Sequence, residues 1–219
     1  MVKAPFWTQS KRFSSDELQL DFENMLEKAV EHLTYNVLPA AADYMAAEDS
    51  LTRAHGENST PVAWEAEARL AKRRAAELAI ALDGMPERCI LDIGQSRSHI
   101  LTQIGMRCVW PGTNFLRSGC IERIRGVANA YKHENLSDPT LPIGSSSDVL
   151  VVALGYGLDG FGVGKFSGVE VLVREKSATS WKFLGDAPTA IAAWFHFLNS
   201  NGAALPSGPF SVCGLHVYP

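Results

Sequence analysis

The spacing of apolar residues changes once along this chain of 219 residues, at the joint LSDPTLPIGSSSD, residues 136–148. Before the joint, apolar residues recur every three or four positions, which lines one face of a helix. After it they come in short runs rich in β-branched and aromatic residues, which suits strands. Helices and strands that are segregated rather than alternating predict an α+β chain. The expected organisation is an up-and-down helical bundle over residues 14–136, then a small antiparallel sheet with one helix over residues 147–219.

Four or five helices are expected in the first part. SSDE is a capping box, with Ser14 accepting from the Glu17 N–H while Glu17 reaches back. Leu18, Phe22, Met25, Leu26, Ala29, Val30, Leu33 and Val37 then share one face, and Pro39 ends or kinks the helix. A second helix spans about Ala40 to Ala54. A third opens on Thr60 as cap and Pro61 as first residue, carrying Trp64, Leu70, Ala71, Leu78 and Leu82. A fourth covers Glu87 to Ile104, with Gly94 inside it, and a fifth runs from Asn114 to about Glu134. Beyond the joint, VLVVALGY, GVEVLVRE and TSWKFLG read as strands. Asp186 is placed to cap a helix holding Ile191, Trp194, Phe195 and Leu198, and FSVCGLHVY to form a last strand.

VLVVALGYGLDGFGVGKFSG has the outline of a dinucleotide loop, with glycines at 155, 157 and 160. Such a loop must open a helix whose N-terminal amides hold the pyrophosphate. Here the glycines lead into VEVLVRE, another strand. The phosphate-loop pattern fails too, because Asp159 stands where its first glycine belongs and Phe166 where its hydroxyl belongs. The stretch from Gly155 to Lys165 therefore reads as a long hairpin tip, with no nucleotide expected there.

A net charge of −4 gives no global attraction to nucleic acid or acidic lipid. Cys89, Cys108, Cys120 and Cys213 form no C-x-x-C pair, and no histidine pair stands near them at zinc spacing, so buried thiols and no metal are expected. The start of the chain carries no apolar signal segment, and no window reaches the roughly 18 apolar residues that span a bilayer. A soluble, cytoplasmic protein without cofactor is the expectation. His32 reads as a surface residue and His196 as a core or interface one; the run Lys72–Arg74 reads as a solvated face.

The fifth helix carries the chemistry. Arg125, Asn129 and His133 stand four apart and form one stripe, Lys132 flanks it, and Arg123 is on the same helix. Arginine can clamp a phosphate with two bonds, histidine can move a proton near neutral pH, and asparagine can orient either. Together they suit metal-free phosphodiester cleavage in RNA, with Arg125, Asn129 and His133 as catalytic candidates and Lys132 and Arg123 as binding candidates. The plainer reading is that basic residues gather in a last turn because the helix dipole favours them there.

An antiparallel bundle with Asn-x-x-x-His on its last long helix resembles the HEPN superfamily, over about residues 14–136. The resemblance implies dimers in which two motifs face each other across a cleft. It also implies either metal-independent ribonucleases of toxin or phage-defence type, or inactive binding modules. Asn129 and His133 match the family's polar residue and histidine. The arginine position falls on Ala128, which departs from the pattern, and Arg125 lies just outside the family's spacing. A homodimeric, non-catalytic oligomerisation or partner- or RNA-binding module is thus the expectation, with a ribonuclease as the alternative.

Overall fold

A computed structural model of the chain describes residues 26–57, 60–133, 136, 138–153, 158–159, 163–165 and 168–218. The Ser14–Glu17 box and Leu18, Phe22 and Met25 lie outside these residues. The fold is α+β. Helix α1 (Glu27–His32) passes through a π-helical turn at Leu33–Val37 into α2 (Leu38–Glu57). Of the two outcomes expected at Pro39, an end or a kink, the helix does not end there. Pro39 has no N–H to donate, and the wider turn before it, in which the Leu38 N–H reaches the Leu33 carbonyl, carries the chain past.

A 3₁₀ turn at Pro61–Trp64 leads into α3 (Glu65–Asp83). Thr60 opens that turn through its carbonyl, which accepts the Ala63 N–H at 3.0 Å, and its side chain makes no cap bond. The single helix expected over 87–104 is two, α4 (Met85–Ile93) and α5 (Arg97–Arg107). Gly94 closes α4 in the left-handed region at φ 68°, and the Ser96 hydroxyl then caps α5 by accepting from the His99 N–H. Helix α6 (Cys120–Lys132) starts later than Asn114. The residues before it fold back on themselves instead: the Arg117 N–H donates to the Cys108 carbonyl at 2.7 Å and the Trp110 N–H to the Phe115 carbonyl at 2.8 Å.

Strands β1 (Val149–Ala153), β2 (Val169–Arg174) and β3 (Ser180–Lys182) form an antiparallel sheet in that order. Val151 faces Val171 across β1 and β2, and Trp181 faces Val173 across β2 and β3. The antiparallel pairing of β1 with β2 excludes a βαβ unit across the glycine-rich stretch. Helix α7 (Phe183–Ser200) follows directly, with Lys182 and not Asp186 as its cap residue. The last segment is a hairpin rather than one strand. β4 (Phe210–Val212) and β5 (Leu215–Val217) are joined by Cys213 at φ 50° and Gly214 at φ 78°, the positive pair that a tight two-residue turn requires.

Helix α7 is apolar on nearly all sides, as a helix at the centre of a protein must be. It packs against α3, α5, α6 and β2. One continuous core therefore includes Leu51, Leu78 and Ile124 from the bundle, Val171 from the sheet, and Ile191 and Phe195 from α7. His196 is the exception on α7: it faces solvent between buried Phe195 and Phe197, so of the expected core or interface position the core one does not hold. His32 departs the other way. It is half-buried, with Nε2 at 2.8 Å from the Ala81 carbonyl.

Two buried ionic networks fasten the sheet to the bundle. In the first, Asp186 accepts from Arg117 Nε at 2.6 Å and from Arg123 Nε and Nη2 at 2.8 Å each. Arg117 also grips Asp159, and Arg123 lies over the Trp181 ring at 4.1 Å. Burial opposes the charge of Arg117, but the hydrogen bond to Asp159 and the field of Asp186 outweigh it and hold its pKa above the ordinary value. Gly185 permits this approach: a Cβ there would stand 2.6 Å from Arg117 Nη2 and 2.5 Å from Val163. In the second network, Glu48 on α2 stands in for a missing strand. Lys182 of β3 pairs with Leu172, and there β3 ends; one residue back along β2, the Val171 N–H donates to Glu48 Oε1 at 3.0 Å. Glu48 also accepts from Tyr44 at 2.8 Å and from Lys165 at 2.7 Å.

Candidate functional site

Helix α6 sends its two functional arginines to opposite places. Ile124, Val127 and Ala128 bury its core face. Arg123 points to the sheet and is 1% exposed. It is a structural residue of the Asp186 network, which corrects its expected role in binding: a guanidinium engaged by Asp186, Glu175 and Trp181 has no surface to offer. Two positions on, Arg125 points to the other side and is 23% exposed.

Arg125, Asn129 and His133 all line one groove of about 420 Å³. Its other walls are Asp83 at the end of α3, Glu87 on α4, Arg97 at the start of α5, and Leu136, Asp138 and Leu141 in the joint. The stripe read from the sequence therefore faces a common space, but its members differ in how far they are partnered. The Asn129 amide donates to the Arg125 carbonyl at 2.8 Å. Lys132 donates to Asp83 at 2.9 Å. Arg125 stands 3.9 Å from Asp83 and 3.9 Å from Asp138, and its buried Nε has no hydrogen-bond partner. His133 follows the last helical residue, with its backbone N–H on the Asn129 carbonyl at 3.0 Å and its side chain exposed.

Asp83, Glu87, Arg97 and Asp138 were not legible as site residues. Arg97 donates to Asp83 at 2.6 Å and to Glu87 at 2.6 Å. Asp83 thus gathers Arg97 and Lys132 and has Arg125 nearby. One signal for it lay in the sequence. An acid in a helix's last turn opposes the dipole, so Asp83, just before the DGMP stop, needed cations from elsewhere. Asp138 is held below the usual carboxylate range by Thr140, which donates to it from side chain and backbone.

Chemically, the groove presents one exposed imidazole and one under-coordinated guanidinium among carboxylates already joined to cations. Among the described residues no group of three or more histidines, cysteines or acids could hold a metal ion. Burial pushes the thiols of Cys89 and Cys213 up to about 12, and a protonated thiol is a poor nucleophile. Burial likewise raises Tyr131, on α6, to about 12. No helix among the described residues is long and apolar enough to cross a membrane. No family model matches the chain, and neither a curated protein nor a solved structure does.

Proposed function

We propose that this chain is a non-catalytic module of HEPN-like ancestry, acting in the cytoplasm as an oligomerisation or partner-binding unit through the groove at the end of α6. One observation carries the reading: most polar groups at the groove are already engaged within the fold. Asn129 is bonded to its own helix, Lys132 and Arg97 hold Asp83, and His133 stands without a second acid or base bonded to it. General acid–base cleavage needs a base within reach of the nucleophile and a donor at the leaving group. A preformed groove with mixed charge and two leucines suits recognition better.

A second reading, a metal-independent ribonuclease, is favoured by the fact that Arg125, Asn129 and His133 line the same groove. A two-fold dimer that brought two such grooves together would supply the missing acid or base. The test is paired. Single-stranded and structured RNA are incubated with the protein in chelator, and the mass in solution is measured by light scattering. Intact RNA at every protein concentration supports the module. Cleavage that is lost in His133→Ala, at unchanged melting temperature, overturns it. A monomer at high micromolar concentration removes the homodimer from either reading.

A further inference from the structure

From the state of Arg125 we infer that the groove binds one compact oxyanion, a carboxylate or a phosphate monoester, and that the carboxylates of Asp83 and Glu87 exclude a nucleic-acid strand from it. This rests on the binding role proposed above and names its ligand chemistry.

A guanidinium carries five N–H donors in a fixed fork that matches two oxygens of one oxyanion. The two buried arginines among the described residues have that fork filled: Arg117 by Asp159 and Asp186, Arg123 by Asp186 and Glu175. Arg125 does not. Its nearest carboxylates stand at 3.9 Å, beyond hydrogen-bond length, and its Nε is enclosed without a partner. One oxyanion in the groove would complete the fork. His133, Leu136 and Leu141 line the same groove, the leucines offering apolar surface to the carbon skeleton of the ligand.

The same walls set the limit. Asp83, Glu87 and Asp138 are matched in number by Arg97, Lys132 and Arg125, so the site is electrically balanced when empty. A single oxyanion is tolerated because it sits on the one cation without a hydrogen-bonded partner. A strand would bring successive phosphates against three carboxylates, two of whose three partner cations are hydrogen-bonded to them already, whereas strand binding depends on several phosphates being neutralised. Asp83 matters most, since it occupies both Arg97 and Lys132.

The experiment titrates ¹⁵N-labelled protein separately with inorganic phosphate and with acetate, following the Arg125 Nε–Hε signal in the wild type and the backbone amide signals of Asn129 and His133 in every form. In parallel, a labelled single-stranded RNA is followed by fluorescence anisotropy at low salt. Saturable shifts in the millimolar range are expected, absent in Arg125→Gln, with flat RNA anisotropy. A response to phosphate alone assigns the monoester, to acetate alone the carboxylate; either supports the inference. RNA affinity should rise about tenfold or more in Asp83→Asn. Glu87→Gln, at a half-exposed position, should act in the same direction and remains informative if Asp83→Asn fails to fold. Response to neither anion, an unchanged response in Arg125→Gln, or RNA binding by the wild type overturns the inference. So does flat anisotropy in the folded carboxylate variants. RNA cleavage by the wild type would remove the binding-module reading as well; silence toward both anions without cleavage removes only the ligand.

Discussion

Arg123 and Arg125 lie two residues apart on one helix and meet opposite surroundings. At the junction of bundle and sheet, Arg123 has Asp186 at 2.8 Å, Glu175 at 3.2 Å and an indole beneath it. At the groove, Arg125 has only carboxylates at 3.9 Å. Both regions are ionic and both draw on residues distant in sequence. The difference is completeness. A buried charge whose donors are all met holds two elements in register, and removing its partner is costly. A half-buried charge with donors left over contributes little to stability and is available to a ligand.

The contrast is broken most forcefully at Asp186. Asp186→Ala would leave Arg117 and Arg123 buried around a void, and a loss of about 3–5 kcal/mol is expected from urea unfolding. A loss under 1 kcal/mol would mean that the junction is not held by its charges. Next comes Gly185→Ala, which forces a methyl against Val163 and Arg117 and should cost about 1–3 kcal/mol. An unchanged midpoint would show that this contact gives way easily.

A pH dependence follows from His32. Burial lowers its pKa from 6.5; the hydrogen bond to Ala81 opposes this, and the Arg88 charge adds to it. The folded state thus holds this proton less tightly than the unfolded chain. Its contribution is complete above pH 6.5 and is lost as pH falls through the lowered value. Unfolding midpoints measured down that range should fall more steeply in the wild type than in His32→Gln; parallel curves would sink the idea. The smallest effect is at Arg125. Arg125→Gln should shift unfolding by no more than about 0.5 kcal/mol, while Arg123→Gln, which takes two of the donors from Asp186, should shift it several-fold more. Equal losses would erase the distinction between the two regions.

Much of the fold was legible because periodicity is a local signal. The segregation of helices from strands, the apolar face of α6 and the alignment of Ile191, Trp194, Phe195 and Leu198 on α7 were all visible in spacing. The misses came where one residue had a competing role. Gly94 looked like a weak interior position and is a helix end. Asp186 looked like a cap, yet α7 already begins at Phe183, and the carboxylate serves two arginines that arrive from residues 117 and 123. For the groove, the stripe Arg125, Asn129 and His133 followed from helical spacing alone. Its partners Asp83, Arg97 and Asp138 come from three other segments, and only packing brings them there. No spacing rule separates Arg123 from Arg125; their neighbours across the core do.

The position of α7 at the centre has a consequence for synthesis. The helix that α3, α5, α6 and β2 all pack upon spans Phe183–Ser200, late in the order in which a ribosome releases the chain. At roughly 5–20 residues per second, the earlier helices wait for seconds with the faces meant for Phe183, Ile191 and Phe195 still wet. The nascent bundle therefore keeps apolar faces exposed until its spine emerges, and chains that stop before Phe183 are expected to aggregate rather than fold in part.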